Sequence, residues 1–213
     1  LERLLHFEVN GMYEKKRRET EKRIETSLLQ LMKEQTFETI SIRQLIDLAE
    51  VNRSTFYRHY LDKYDLLEKI ENRLLDDLQA YYQEALDSSC LFKLEKEFKV
   101  EDYIHDKQNL FHFFEPYLED LAILLGPNGS STSSWRLQEV LREIFSQSIS
   151  LGDPLLEEVE ADLLLNHQAA SFMGTLTYWL AHPHYKSQQM SDFHTKVTTV
   201  GLAGFVREHM RGD

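Results

Sequence analysis

Cysteine is almost absent from this 213-residue chain, where Cys90 stands alone. One thiol closes no internal disulfide and builds no zinc site of cysteine pairs, which excludes a disulfide scaffold and fits a reducing cytoplasm. No basic residue directly adjoins Cys90 to favour its thiolate, so it reads as inert rather than as a sensor. Proline (4) and glycine (8) are scarce and strand-like alternation is hard to find, which argues against a β architecture. No apolar run approaches the ~18 residues that would span a bilayer, and no signal-peptide pattern opens the chain, so a cytoplasmic protein is expected. Enzyme signatures are missing as well. There is no Gly-x-Ser-x-Gly, phosphate loop, dinucleotide fingerprint or His-Glu-x-x-His, although a carboxylate pair can hide among 36 acids. No enzyme, cofactor or metal site is expected: of nine histidines, His182-x-His184 straddles a proline, and His105 and His112 have no Cys partner. Positive charge is also short, with 24 Lys+Arg against 36 Asp+Glu and a net charge of −12, which taken whole speaks against nucleic acid.

What is present changes that last inference. At 42% hydrophobic and 28% charged residues, the composition is that of a globular protein and excludes wholesale disorder. From Met12 to Tyr60, ten basic residues face eight acids, net +2; from Leu61 onward, 13 basic residues face 26 acids, net −13. Such asymmetry fits a small nucleic-acid-facing head on an acidic body, or simply a solvated helix surface. Residues 1–11 read as an appended remnant or a misassigned start, because the chain opens on Leu1 and Met12-Tyr-Glu-Lys-Lys-Arg-Arg would begin it naturally.

Helical spacing is easy to find. Ile24, Leu28, Leu31 and Met32 predict a helix over 14–35. Ile42, Leu45, Ile46 and Ala49 predict a two-turn helix capped by Ser41. After Glu50 and Val51, Asn52 caps a third helix from Arg53 to His59. Asp62 opens a longer helix with Tyr64, Leu67, Ile70, Leu74 and Leu78 as its buried stripe. Further helices are expected over 98–125, 134–149, 154–182 and 187–210, broken by the Gly126-Pro127-Asn128-Gly129 loop, Gly152-Asp153-Pro154 and His182-Pro183-His184. The fold class is all-α: a small helical head over 12–61, then a connector helix and helical body over 62–213.

Two short helices across a tight turn, the second polar-capped and rich in Arg, Ser and Thr, describe a helix-turn-helix whose second helix enters the major groove. The segment Thr39 to Lys63, with its Thr55-Phe56-Tyr57-x-His59-Tyr60-x-x-Lys63-x-x-Leu66-Leu67 pattern, resembles the DNA-binding head of the TetR family. The detailed likeness covers roughly residues 17–78. In one departure, the family's Ala-Gly-Val-Ser turn is here Ala49-Glu50-Val51-Asn52. Glu50 therefore either takes a positive φ at a cost of ~1 kcal/mol or shifts the turn. Asn52 caps as well as Ser does. From chemistry and position, Arg43 and Arg53 are the candidate base readers, since each can present a fork to guanine O6 and N7. Ser54 and Thr55 suit either bases or phosphate, and Ser41 can offer its hydroxyl or N–H to phosphate. The resemblance places Tyr57, His59 and Lys63 at phosphate-contacting positions. Lys15–Arg18 fits either an arm beside the groove or a solvated helix start.

In the body, Ala169, Ala170, Met173, Leu176 and Thr177 form a small-residue stripe, and Val197, Val200, Gly201, Gly204 and Phe205 form another. These suit a homodimer packed through the last two helices, or packing within one subunit. Phe111, Phe113, Phe114, Tyr117, Trp135, Phe145, Phe172, Tyr178 and Trp179 suit a ligand cavity, with His112, His167 and Gln168 as polar anchors, or an ordinary core. The resemblance implies a homodimeric repressor on a near-palindromic double-stranded DNA operator, released by an unknown small-molecule effector. Two rivals remain open. One is an activator or protein-controlled sensor of the same fold, and the other is an enzyme or structural helical protein with a degenerate head.

Overall fold

The computed structural model describes the backbone of residues 2–88, 110–149 and 158–211, and the side chains of 12–84, 110–147 and 158–198. Cys90, His105, the expected helix over 98–109 and the Gly152-Asp153-Pro154 break lie outside the described residues, as do the side chains of Val200 and Phe205 and the surroundings of Gly204. All regular structure among the described residues is helical, in the order α1 (Glu2–Glu34), α2 (Ile42–Leu48), α3 (Arg53–His59), α4 (Lys63–Ser88), α5 (Leu110–Phe114), α6 (Leu118–Leu124), α7 (Ser133–Ile149), α8 (Glu158–Ala181) and α9 (Ser187–Arg211). Short 3-10 turns occupy Phe37–Thr39 and Glu115–Tyr117. No helix among these residues is long and apolar enough to cross a membrane.

The chain divides into two compact units, residues 1–74 with 126–130, and 75–125 with 131–213. The head thus packs as a unit well past residue 61. It also recruits a segment from the far side of the sequence: Phe37 N donates to Asn128 O at 2.8 Å, and Asn128 Nδ2 donates to Lys33 O at 3.5 Å. The head's core is built from Ile24, Leu28 and Met32 of α1 with Phe37, Ile40, Leu45, Ala49, Phe56, Tyr60, Leu66 and Leu67, all buried. Burying a side chain such as Phe56 contributes about 1.5–3 kcal/mol. Residues 2–11, set aside on sequence grounds, continue α1 rather than standing apart from it.

On α4 the buried stripe is Leu66, Leu67, Glu71, Leu75, Leu78 and Tyr82, which shares Leu67 and Leu78 with the expected stripe and leaves out Tyr64. Tyr64 is exposed because its hydroxyl donates to Glu38 Oε2 at 2.9 Å while its ring lies edge-on to Phe37; Ile70 and Leu74 are half-buried.

In the second unit α8 packs against α6, α7 and α9, and α9 against α5. Ala169, Phe172, Leu176 and Trp179 of α8 meet Leu121 and Leu124 of α6, Leu137, Leu141 and Ile144 of α7, and Met190 of α9 in a buried core. Pro116, which has no N–H to donate, falls where the expected single helix up to 125 breaks into α5, the 3-10 turn and α6. The bend after α8 is closed by Trp179 Nε1 donating to Tyr185 O at 2.9 Å. Within α9, Gly201 leaves helical geometry at φ 70°, where the missing Cβ removes the steric cost.

Candidate nucleic-acid interface

Local sequence sets both ends of the α2–turn–α3 pair. Ser41 and Gln44 form a reciprocal capping box: Gln44 N donates to Ser41 Oγ at 3.3 Å, and Ser41 N donates to Gln44 Oε1 at 2.9 Å. Asn52 Oδ1 accepts from Thr55 N and from Ser54 Oγ, each at 2.7 Å, so α3 starts at Arg53 as its sequence predicts. Between them α2 ends in a Schellman motif, with Val51 N donating to Ile46 O at 3.1 Å and Glu50 N to Asp47 O at 3.4 Å. That motif needs a left-handed residue at position 50, and Glu50 takes it at φ 51°. Of the two outcomes expected for this glutamate, the strained one occurs, at a steric cost on the order of 1–2 kcal/mol.

Phe56 and Tyr60 fasten α3 to the head's core, which turns Arg53, Ser54, Tyr57 and Arg58 to solvent; Thr55 is half-buried. The Arg53 guanidinium stands 5.5 Å from the Tyr57 ring. Arg43 projects from α2 with its side chain 89% exposed and only a loose 3.8 Å approach to Asp47. Two residues of the expected contact set face inward instead. His59 has a side chain only 7% exposed, and its Nδ1 lies 3.1 Å from Glu21 Oε1. A carboxylate only accepts, so Nδ1 carries the proton. Lys63 directs its ammonium at three carbonyls, Phe37 O at 2.9 Å, Glu38 O at 2.7 Å and Ile40 O at 3.0 Å. All three of its protons close the 3-10 turn, which leaves none for a phosphate in this conformation.

The network behind α3 had no sequence signal. Burial pushes the Glu21 carboxyl up, but hydrogen bonds from His59 and Arg17 outweigh it and hold the group below the usual carboxylate range. Glu25 accepts from Tyr60 Oη at 2.8 Å and pairs with Arg73 Nη2 at 2.6 Å; burial, then the Glu25 charge, pushes the Tyr60 phenol up. These two acids of α1 tie α3 and α4 to the first helix. Beside α3 lies a groove of about 590 Å³ lined by Tyr13, Lys16, Arg17, Thr20 and Arg23 of α1 and by Glu50, Val51, Asn52, Thr55, Arg58 and His59. Four of these side chains are Lys or Arg and one is a carboxylate, so the groove favours an anion. Lys16 and Arg17 of the basic cluster line it, and Lys15 and Arg18 do not.

In the helical body the expected ligand set separates into two groups. Phe111, Phe114 and Phe172 are buried together, with Phe111 stacked on Phe172 at 4.4 Å. His112 joins them with a buried Nδ1 that has no hydrogen-bond partner. Tyr117 is half-buried, packs on Phe113 and donates to Asp77 Oδ2 at 3.2 Å. Trp135 is 64% exposed, His167 is exposed, and Tyr178 lies on the surface stacked on His182 at 4.3 Å; Gln168 is half-buried. The reason is helix phase: residues 167 and 178 share a face of α8 roughly opposite Phe172. His194, which the sequence did not single out, contacts the rings of Phe111 (5.6 Å) and Phe172 (5.4 Å), with Thr175 Oγ1 3.5 Å from its Nδ1. Burial pushes its imidazole down to about 4.

No family model matches the chain, and no curated protein matches its sequence. Solved structures do match its fold. A TetR transcriptional regulator from Streptococcus agalactiae aligns at a TM-score of 0.59 and 22% identity, over 88% of this chain and 98% of that one. A putative TetR-family regulator from Syntrophomonas wolfei aligns at 0.61 and 21%, over 87% and 97%. A dihydroxyacetone kinase operon activator aligns at 0.51 and 13%, over 86% and 94%. The chain has the TetR-type fold.

On this TetR-type framework the residues of the expected dimer stripe differ in exposure. Ala169 and Leu176 are fully buried inside the subunit, Met173 and Val197 are half-buried, and Ala170 and Thr177 are exposed. The outward face of α8 runs through Leu163, His167, Ala170, Gly174 and Thr177, and a Cβ on Gly174 would meet nothing within 4 Å. Gly201 is exposed at the α9 break.

Proposed function

We propose that this chain is a sequence-specific DNA-binding transcriptional regulator that reads a near-palindromic operator as a homodimer. The observation that carries this reading is the α2–α3 pair. Its capped, braced geometry leaves Arg43, Arg53, Ser54 and Tyr57 on one solvent face, ahead of a groove rich in Lys and Arg. The TetR-type fold supports it, since that architecture is shared with transcriptional regulators. In this reading Arg43 and Arg53 read base edges, while Tyr57, Arg58 and Lys16 hold phosphates. His59 and Lys63 brace the head from within.

One short helix reads only a few base pairs, so two heads are required, at a spacing set by the dimer. The outward face of α8 provides the small-residue surface for that dimer. A small molecule lodged among Phe111, His112, Phe114 and Phe172 would bias the spacing of the heads, with the unpartnered His112 Nδ1 as a polar anchor. Release of a repressor is the simplest output. Activation is the second reading, favoured by the neighbour named as an operon activator.

Selection of bound duplexes from random-sequence DNA tests the proposal. The expected product is a two-fold symmetric site with half-sites about one helical turn, or a multiple, apart. Failure to enrich any sequence, with no binding even in low salt, would sink it.

A further inference from the structure

The turn between α2 and α3 holds a residue poorly suited to its backbone. Glu50 is the one non-glycine residue at positive φ among the described residues, and the Schellman hydrogen bonds closing α2 put it there. Such a motif leaves the carbonyls at its end without helical donors. Arg23 supplies the donors from α1. Its Nη2 donates to Ala49 O and to Glu50 O, the latter at 2.9 Å, and the guanidinium stands 3.8 Å from the Glu50 carboxylate.

We infer that Arg23 is a positioning residue for DNA reading: by gripping the carbonyls of Ala49 and Glu50 it holds the turn in the left-handed conformation that Glu50 resists. The inference rests on the DNA-binding reading above. Only Ala49, Glu50 and Val51 separate the last residue of α2 from Asn52, so a change of φ at Glu50 swings the start of α3, where Arg53 and Ser54 sit. Glycine would adopt the same φ without that steric cost, because it has no Cβ to clash. The chain thus achieves with a guanidinium from another helix what a glycine achieves locally. It follows that Arg23 should matter only while position 50 carries a side chain. A direct phosphate contact by Arg23, which is half exposed and lines the groove, makes the opposite forecast.

The test compares four full-length proteins: wild type, Arg23→Ala, Glu50→Gly and the double variant. Each is titrated against a selected operator and a random duplex of equal length across a range of KCl. Arg23→Ala should lower the operator-to-random affinity ratio roughly tenfold while leaving the salt slope unchanged. Removing the Glu50 carboxylate from the groove should shift both affinities alike, so Glu50→Gly should keep the wild-type operator-to-random ratio, and the double variant should recover that ratio to within about twofold. Equal loss on both duplexes with a shallower salt slope would overturn the inference in favour of phosphate contact. So would a double variant no better than Arg23→Ala. Should Arg23→Ala fail to fold, Arg23→Lys keeps one donor group and is expected to give an intermediate ratio; an unchanged ratio overturns the proposal. Amide exchange in the free proteins reads the turn without DNA. Arg23→Ala should speed exchange at Glu50 and Val51, and Glu50→Gly should reverse it. Unaltered exchange counts against the inference even if wild type selects no operator, a result that would by itself refute only the DNA reading.

Discussion

Arg43 and Arg53 hold their charge in solvent with few internal ties, which is how a side chain waiting for a base edge is placed. Replacing either with Ala should cost about 1–3 kcal/mol on the operator and much less on random DNA, measured by fluorescence anisotropy. Equal losses on the two would remove the base-reading role. Their exposure was legible because each opens a short helix whose cap lies within two residues in sequence. His59 and Lys63 were not legible in the same way. Glu21 lies 38 residues from His59, and the carbonyls that hold Lys63 lie 23 to 26 residues back, so no local pattern records either contact. His194 makes a second residue-level prediction. Its pKa is about 4 when folded against an ordinary value of 6.5, so the unfolded chain takes up a proton that the folded chain refuses between those limits. Stability from this group is present above pH 6.5 and is lost as pH falls toward 4. Urea unfolding should show that decline in wild type and a flatter profile in His194→Gln. Parallel profiles would mean that another group dominates.

Among elements, the caps and the short helices were the best-read part of the chain. Ser41 with Gln44 and Asn52 with Thr55 are three-residue relations, and α2 and α3 begin where those relations place them. Of the long helices, α7, α8 and α9 fall close to their expected spans while the one expected up to 125 breaks at Pro116, and the buried faces were harder to assign. On α8 nearly every position from Leu163 to Trp179 is apolar or small, so periodicity does not distinguish the face holding Ala169 and Phe172 from the one holding Ala170 and Gly174. Only packing against α6, α7 and α9 decides it. The 3-10 turn at Phe37–Thr39 depends on Lys63, and this separates two accounts of that lysine. Lys63→Met should cost about 1.5–3 kcal/mol of stability through loss of a charged hydrogen-bonding cap, read as a lower melting temperature. It should leave the salt slope of DNA binding unchanged, whereas loss of a phosphate contact would reduce the slope by about one.

For the whole molecule, the net charge of −12 is a sum over dissimilar stretches, −1 over residues 1–11, +2 over residues 12–60 and −13 from residue 61. In the proposed complex the acidic stretch repels phosphate, so productive contact is confined to the heads and should weaken steeply with salt. The proposed dimer is also tested at this scale. Gly174→Glu puts a charge on the outward face of α8, where a Cβ meets nothing within the subunit. It should leave the melting of the subunit core nearly unchanged, convert the dimer to monomer in sedimentation, and reduce operator binding far more than random binding. A dimer that survives this change uses another surface.

The backbone of Phe37, at the base of the reading head, hydrogen-bonds to Asn128, and the Asn128 side chain reaches back 95 residues to Lys33. On the ribosome, α1 to α3 emerge long before that partner exists. At about 5–20 residues per second, the gap amounts to roughly 5–20 s of translation. Until then the Phe37 amide has no Asn128 to meet, and a fragment cut after α4 would lack it permanently. The packing around the Phe37 turn is therefore completed late in synthesis, by a loop belonging to the second half of the chain.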